Sequence, residues 1–313
     1  MGFSATIAMA FVIEVLFGWP EALFDRVGHP VAWLGAMIER CDARYNRASD
    51  PDFVRRLAGL LVVALICAAV WGLTWLIAYA FPAGWIGVVL AGILGWPLVA
   101  TRSLFDHVRA VAVPLGRGNL LSAREAVSMI VGRDPDRLDR AGVARAALES
   151  LAESASDGVV APIFWGVIFG LPGMAAYKAI NTMDSMIGHL SPRHAAFGWA
   201  AARIDDAVNL IPARLTGLLI AAVSGHWRDS IACMWRDGGL HRSPNAGWPE
   251  AALAGALNIR LSGPRFYDNT LTREPWVNEG APDPDAGDLS RGLELYLKAM
   301  VALFVALVLL ALI

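Results

Sequence analysis

Charged residues recur at intervals of four in the middle of the chain. The set is Arg145, Glu149, Glu153 and Asp157. On a helix this spacing keeps side chains near one face. A solvated face with charge pairs would explain the pattern, but three carboxylates at i,i+4 repel one another unless a cation lies among them. Such carboxylates suit Mg²⁺, which takes one or two protein carboxylates and completes its shell with substrate phosphates. Both interpretations stay open on the residues alone.

A second polar group follows directly on an apolar run. It consists of Lys178, Asn181, Thr182, Asp184 and Ser185, which share one helix face or lie beside it. Asn, Thr, Asp and Ser disfavour helix interiors, so their crowding needs an explanation. Capping a helix that begins here would take one such residue rather than four. The spacing therefore favours a functional cluster.

A third group precedes another apolar piece. Its members are Arg203, Asp205, Asp206, Asn209 and Arg214. The side chains of Asp205 and Asn209 align at i,i+4, and polar groups at membrane depth are costly, at about 2.5–3.5 kcal/mol for a central charge. The alternative is an interfacial cluster in which arginines neutralise the aspartates.

Residues 243–250 (Ser-Pro-Asn-Ala-Gly-Trp-Pro-Glu) combine turn-forming residues with hydrogen-bonding groups. His241, Ser243, Asn245 and Glu250 are candidates here, although turn chemistry alone would explain them. His29 stands alone at a loop end, where a histidine is usually structural. The sequence contains no GxxxxGK[ST], GxGxxG, HExxH or GxSxG pattern, so a bound nucleotide would not use a P-loop.

The elements that must position these groups are apolar. Hydrophobic residues make up 56% of the chain, and mean hydropathy is +0.50. The stretch 57–101 holds 45 residues without Asp, Glu, Lys or Arg, enough for two spans of about 20 residues joined by a turn at 81–84. Further candidates are 1–19, which we expect to be a retained span rather than a signal peptide, 158–177 and 295–313. A soluble fold would hardly contain so many such runs.

The predicted fold is all-α: a polytopic membrane protein with about four to six membrane segments, forming one domain over residues 1–313. Arginines concentrate in 19–56 and 102–158, which the positive-inside rule places in the cytoplasm, with the N-terminus outside. Helical periodicity at 121–132 and 138–155 predicts a helical layer on that face. We also expect 225–292 to be cytoplasmic, with 262–292 forming a long loop.

The run 158–177 is broken repeatedly by glycine and proline, most sharply at residues 170–173 (Gly-Leu-Pro-Gly). It either crosses the membrane or enters and returns as a hairpin, which is tolerated where protein or water surrounds it. The returning path is favoured slightly because it leaves Lys178 on the cytoplasmic side. A net charge of −2 does not indicate nucleic acid binding, and three scattered cysteines form no readable metal or disulfide pattern.

Four motifs together resemble the CobD/CbiB family of adenosylcobinamide-phosphate synthases in cobalamin biosynthesis. They occupy 144–158, 181–188, 205–214 and 243–250, and the similarity in order and spacing runs from His29 to about residue 263. The sequence departs from the family at the end of the first span, where Glu14 and Gly18-Trp19-Pro20 stand in place of Asp and Gly-Asp-Pro.

The resemblance implies amide formation. A propionate of adenosylcobyric acid would be joined to the amine of aminopropanol or its O-phosphate, with ATP as co-substrate and Mg²⁺ as cofactor. It also implies a bacterial inner membrane location and association with other late-pathway membrane enzymes. The apolar runs themselves predict contact with the lipid bilayer, and the arginine-rich segments, with the polar clusters at the edges of apolar runs, predict an active site on the cytoplasmic face.

Roles follow from the residue types. The candidate magnesium ligands are Glu149, Glu153, Asp157 and Asp184, followed by Asp205 and Asp206. Cationic groups for phosphate or acyl-phosphate oxygens are Lys178, Arg203 and Arg214. Substrate-orienting or substrate-binding groups are His29, Asn181, Thr182, Ser185, Asn209, Ser243 and Asn245. The ammonium proton, which must leave before the nitrogen attacks, would be accepted by Glu250 or His241.

Two other classes of protein are alternatives. A membrane sensor or regulator of the AmpE type, in the same superfamily, would not need complete acidic and amide motifs. A transporter with broken helices would show paired, pseudo-symmetric interruptions, whereas only the one at 170–173 is strong.

Overall fold

The described chain is mainly helical. The computed structural model describes residues 2–132, 134–267, 270–272 and 274–313 and is 77% helical. The first half contains α1 (Phe3–Phe17), α2 (Glu21–Val27), α3 (Pro30–Tyr45), α4 (Asp52–Ala80), α5 (Trp85–Gly95), α6 (Thr101–Gly116), α7 (Leu120–Ser128) and α8 (Arg140–Ala155). The second contains α9 (Ala161–Ile187), α10 (Trp199–Val208), α11 (Leu210–Val223), α12 (Trp227–Asp237), α13 (Gly247–Leu257) and α14 (Ala286–Leu312).

Four helical stretches are long and apolar enough to cross a membrane, and six if two bent helix pairs each count as one span. The four are Asp52–Ala80, Trp85–Gly116, Arg140–Ile187 and Ala286–Leu312. The bent pairs are α1 with the 22–45 stretch, and α10 with α11. The prediction of an all-helical protein with about four to six membrane segments is therefore confirmed.

The broken run 158–177 reverses direction inside α9. Gly170 has φ 69° and ψ −159°, a conformation essentially restricted to glycine. A Cβ on Gly173 would lie 2.5 Å from the carbonyl oxygen of Trp165, whereas residues eight apart in a straight helix are separated by about 12 Å. The two arms therefore pack against each other, as the glycine and proline pattern indicated, while the return of the chain to the cytoplasmic side stays a prediction.

The chain divides into two compact units, each built from separate stretches of sequence. The first unit comprises Met1–Ala100, Ala161–Asn209 and Leu307–Ile313. Its core brings together α3, α4, the second arm of α9 and α10 through Ile38, Val62, Met183 and Ala201. The expectation of a single domain stays a prediction.

The second unit comprises Thr101–Val160 and Leu210–Ala306. Its helices α7 and α8 match the two predicted from periodicity. Each begins at a capping residue: Asn119 Oδ1 accepts the Ser122 N–H at 3.2 Å, and Asp139 Oδ1 accepts the Gly142 N–H at 2.7 Å. Helix α12 packs against α13, which also contacts α11.

The segment 262–292 is more ordered than the predicted loop. Strands β1 (Leu261–Ser262) and β4 (Trp276–Val277) pair antiparallel, as do β2 (Arg265–Tyr267) and β3 (Thr270–Thr272). Helix α14 then begins at Ala286, earlier than the predicted span at 295. The prediction missed both features because the strands are only two or three residues long and the first turns of α14 are polar. Arg133 and part of this segment lie outside the described residues.

Replacing Gly170 with alanine should destabilise the fold. A Cβ there would adopt a backbone conformation that costs about 1–3 kcal/mol, and it would lie 2.8 Å from the Phe3 ring. We expect the free energy of unfolding of the detergent-purified protein to fall by about that amount. The matched control is Gly72→Ala in α4, where no atom lies within 4 Å of the added carbon. Equal unfolding profiles for the two variants would contradict this account of the reversal.

Candidate functional site

The second arm of α9 and helix α10 bring two of the predicted polar groups together in the first unit. Asn181 Nδ2 faces Asp205 Oδ1 at 3.5 Å, and Asn209 Nδ2 donates to Asp205 Oδ2 at 2.9 Å. The charges of Asp184 and Asp206 also lie within electrostatic range of Asp205. Two amides from separate motifs therefore contact Asp205, and two further predicted carboxylates interact with it electrostatically.

Asp205 is the buried centre of this cluster. It is only 8% exposed, and within the described part of the chain its carboxylate contacts amides rather than a cationic side chain. A buried charge is costly unless it is paired or hydrogen-bonded. Arg203 instead lies 3.4 Å from Asp206. The alternative in which arginines neutralise the aspartates thus applies to Asp206 but not to Asp205.

A tyrosine that sequence reasoning missed supports this arrangement. Tyr177, 2% exposed, donates its hydroxyl proton to Asn209 Oδ1 at 2.9 Å, while Asn209 is 1% exposed. This bond orients the Asn209 amide so that its Nδ2 points to Asp205. The residue ends an apolar run, where an aromatic residue usually marks a membrane interface, so the sequence carried no signal for this role.

The hydroxyl groups of the same α9 arm are used within the helix. Thr182 Oγ1 donates to the Lys178 carbonyl oxygen at 2.7 Å, and Ser185 Oγ donates to that of Thr182 at 3.0 Å. These residues lie inside α9 rather than at its beginning, so helix capping does not explain the cluster. Thr182 is buried, whereas Ser185 is exposed.

His29 and Lys178 are distant in sequence but interact electrostatically. His29 is the N-cap of α3, where its Nδ1 accepts the Val31 N–H at 3.2 Å. Its ring meets that of Trp19 edge-on, with centroids 4.6 Å apart. The structure therefore brings this histidine towards the α9 residues, a proximity that the sequence did not indicate.

Arg214 organises a second polar cluster, in the second unit. Its Nη1 donates to Asn245 Oδ1 at 3.1 Å, and its Nη2 donates to the Pro244 carbonyl oxygen at 3.3 Å. The guanidinium carbon lies 4.2 Å from the centre of the Trp248 ring, which suits a cation–π contact. Two sequence motifs, 205–214 and 243–250, thus meet through one arginine.

The remaining residues of the 243–250 region divide into turn-forming and polar groups. Ser243 Oγ accepts the backbone N–H groups of Asn245 and Ala246, each at 3.2 Å, which supports the turn explanation for this serine. His241 Nε2 lies 4.0 Å from Glu250 Oε1, and Glu250 is 2% exposed. These two predicted proton acceptors are therefore neighbours.

Residues 145–157 do not lie on one uninterrupted α-helix, because α8 ends at Ala155. Glu149 is 3% exposed and its Oε1 accepts the Ser262 N–H at 2.7 Å, while Glu153 is exposed. Asp157 follows in a π-helical turn, Ser156–Val160, which changes the phase of the helix. Among the residues that the structure describes, no three His, Cys, Asp or Glu side chains are grouped to hold a metal ion.

The fold and these clusters define a class: a polytopic helical membrane protein with carboxylate–amide and arginine–aromatic sites. The chain matches the family model described as CobD/Cbib protein over residues 7–296. This chain therefore belongs to the CobD/CbiB family, as its motifs indicated. No solved structure matches it.

Relatives of similar length agree. A cobalamin biosynthesis protein CobD from Rhodobacter capsulatus is 58% identical over 307 residues, 97% of this chain and 96% of its own. One from Brucella suis is 46% identical over 302 residues, covering 94% and 92%. One from Rhizobium meliloti is 44% identical over 307 residues, covering 96% and 92%. The chain acts in cobalamin biosynthesis, which disfavours the regulator and transporter alternatives.

Replacing Tyr177 with phenylalanine tests the hydrogen-bonded centre. Loss of the hydroxyl leaves the buried Asn209 carbonyl oxygen without this donor, which should cost about 1–3 kcal/mol of unfolding free energy. Denaturant unfolding of the purified protein measures it. The control is Tyr79→Phe at the exposed end of α4, which should unfold like the unmodified protein. If both variants have the unfolding free energy of the unmodified protein, the Tyr177–Asn209 hydrogen bond does not contribute to stability.

Proposed function

We propose that this protein ligates adenosylcobyric acid to aminopropanol or its O-phosphate, giving adenosylcobinamide or its phosphate, at the expense of ATP. Membership of the family supports the pathway. The observation that carries the chemistry is the buried Asp205 carboxylate, held by Asn181 and Asn209 with Asp184 and Asp206 in range. Such a site stabilises cationic or electrophilic species at a membrane boundary.

The reaction requires activation of an unreactive carboxylate. In the proposed sequence, a propionate oxygen attacks the terminal phosphorus of ATP and ADP leaves, forming an acyl phosphate. The deprotonated amine then attacks the carbonyl carbon, the carbon–oxygen bond breaks, and inorganic phosphate departs. Both steps develop negative charge on oxygen, so positioned cations and hydrogen-bond donors supply most of the catalysis.

The residues around Asp205 fit a magnesium ion. Oxygen ligands from one or two carboxylates are what Mg²⁺ takes from a protein, with water and phosphate completing its shell. A buried carboxylate without a cationic partner among the described residues suits that role, and Asp184 or Asp206 would be the second ligand. When bound, the ion would neutralise phosphate charge. That Glu149, Glu153 and Asp157 are magnesium ligands stays a prediction. Glu149 is the weakest of these three candidates, because its Oε1 already accepts the Ser262 N–H.

The cationic groups are proposed to hold phosphate and acyl-phosphate oxygens. Lys178 lies on the α9 arm that carries Asn181 and Asp184, so it would serve the same site. Arg203 borders Asp206. In the second unit, Arg214 is fixed by Asn245 and Trp248 and would orient an anionic or aromatic part of a substrate. The neighbouring His241 and Glu250 are the proposed acceptors for the ammonium proton.

The proposed location is the bacterial inner membrane, with the chemistry on the cytoplasmic face. The arginine-rich segments 19–56 and 102–158 support this orientation through the positive-inside rule. A large corrinoid would then be held at the membrane surface, where other late-pathway membrane enzymes could exchange it. The exposed apolar residues of α4 and α14 suit contact with lipid.

A direct assay tests the reaction. Purified protein in detergent, given adenosylcobyric acid, aminopropanol phosphate and Mg-ATP, should form the amide and release ADP and phosphate. Asp184→Asn should lower turnover by about 10²-fold or more, because it removes a carboxylate at the proposed ion site. Weakened Mn²⁺ binding, followed by electron paramagnetic resonance, gives a readout independent of turnover.

The matched control for that variant is Asp25→Asn, at an exposed aspartate of α2 in the same unit. It should retain full turnover and ion binding. A folded sample that forms no amide with either amino alcohol would exclude the proposed reaction. Full turnover by Asp184→Asn would remove Asp184 from the site.

Thiol labelling tests the membrane orientation. In a protein whose three native cysteines are replaced, Ser185→Cys should resist an impermeant reagent applied from the periplasm, because the returning path puts residue 185 in the cytoplasm. The control Ala83→Cys lies in the exposed turn between α4 and α5 and should be labelled. Labelling at 185 would show that the stretch crosses instead.

A further inference from the structure

A cleft in the second unit is unconnected with the residues assigned above. It encloses about 670 Å³, within the range of small-molecule sites. Three short segments line it: residues 115–118 at the end of α6, residues 140–141 at the start of α8, and residues 283–287 at the start of α14. Its rim therefore includes the ends of three candidate membrane spans, at Gly116, Arg140 and Ala286.

Two arginines of the cleft have no carboxylate partner among the described residues. Arg117 and Arg140 are both exposed. Arg140 Nη2 donates to the Gly118 carbonyl oxygen at 3.3 Å, and Gly118 makes the turn with φ 78°. A guanidinium group has five N–H donors, so most of those on Arg140 stay available. The two side chains thus present a donor-rich cationic surface.

The acidic residues of the lining are already engaged. Asp283 accepts hydrogen bonds from Arg260 at 2.9 and 2.6 Å and is also paired with Arg145. The Arg260 hydrogen bonds, followed by the charge of Arg145, hold the pKa of Asp283 below its ordinary value, so it stays ionised within that triad. Asp285 Oδ1 accepts the Asp288 N–H at 2.9 Å, which caps α14.

The charged residues that line the cleft are two arginines, Arg117 and Arg140, and two aspartates, Asp283 and Asp285. The charge of Asp283 is compensated from outside the lining by Arg145 and Arg260. The two guanidinium groups of the lining therefore keep their donors for an anion. Planar guanidinium groups match phosphate oxygens two at a time, which distinguishes phosphate from a simple halide.

We propose that this cleft binds a phosphate group. Three sources carry that chemistry: a nucleotide, the phosphorylated amino alcohol, and the headgroup of an anionic lipid at the membrane surface. The first two rest on the proposed function, whereas the lipid does not. Arg117 and Arg140 are the ligands, and the Arg145–Asp283–Arg260 triad holds the α14 side of the cleft in place.

The test measures binding to the full-length protein in nanodiscs, without corrinoid. One arm uses radiolabelled ATP, one uses aminopropanol phosphate, and one compares retention of phosphatidylglycerol with that of phosphatidylcholine. Replacing both arginines, Arg117→Gln with Arg140→Gln, should weaken the ligand that binds by about tenfold or more, because two charge-assisted contacts are lost. The matched control is Arg228→Gln, at an exposed arginine of α12 outside the cleft.

The outcomes separate the cleft from the reaction. The proposal is supported if the double variant loses binding while its unfolding temperature and the binding by Arg228→Gln stay unchanged. The ligand whose binding is lost then identifies the source of the phosphate. Binding of none of the three ligands by the unmodified protein, or equal binding by the double variant, overturns it. If one of the ligands binds through Arg117 and Arg140 but the protein forms no amide, the cleft proposal stands and only the proposed reaction is excluded.

Discussion

A buried carboxylate held by amides is the interaction on which the candidate site depends. Asp205 lies among apolar helices, where an unpaired charge is destabilising, and the nearby α10 arginine is paired with Asp206 instead. Its two oxygens face Asn181 and Asn209, and Asn209 is oriented in turn by Tyr177. Even a buried ion pair can often be replaced by well-packed apolar residues without loss of stability. A buried carboxylate with neutral partners among the described residues therefore supports the proposed site for a cationic or electrophilic ligand.

The same constraint shapes the backbone around that centre. Polar backbone groups in an apolar medium must bond within the segment, so membrane structures are helical and breaks occur only where protein covers them. The reversal at Gly170 obeys this rule, since it is buried in the first unit and packs against Phe3. It returns the chain so that the polar second arm of α9 runs beside α10. There Asn181 faces Asp205.

Features with a local origin could be predicted from the sequence. Apolar runs predicted the long helices, periodicity predicted α7 and α8, and glycine and proline predicted the reversal. The contact between Asp205 and Asn209 follows from their spacing of four in one helix. The contacts of Asn181 with Asp205, and of His29 with Lys178, join residues distant in sequence and depend on helix packing. The π-helical turn before α9 also has no sequence signal. Because it follows Glu153, the four-residue spacing from Glu153 to Asp157 does not keep these two side chains on one face.

Arginine and lysine occupy positions in this protein that require different geometries of the positive charge. The chain has only two lysines, Lys178 and Lys298, among 26 basic residues. Arg214 both stacks on Trp248 and donates in two directions, which an ammonium group cannot do in one geometry. Lys178 instead lies on the α9 arm that also carries Asn181 and Asp184. An ammonium group is a compact charge on a flexible stem, so it can follow a group that moves. A lysine on this arm, in a chain whose other cations are almost all arginines, therefore fits the proposed contact with the transferred phosphoryl group better than a fixed docking role.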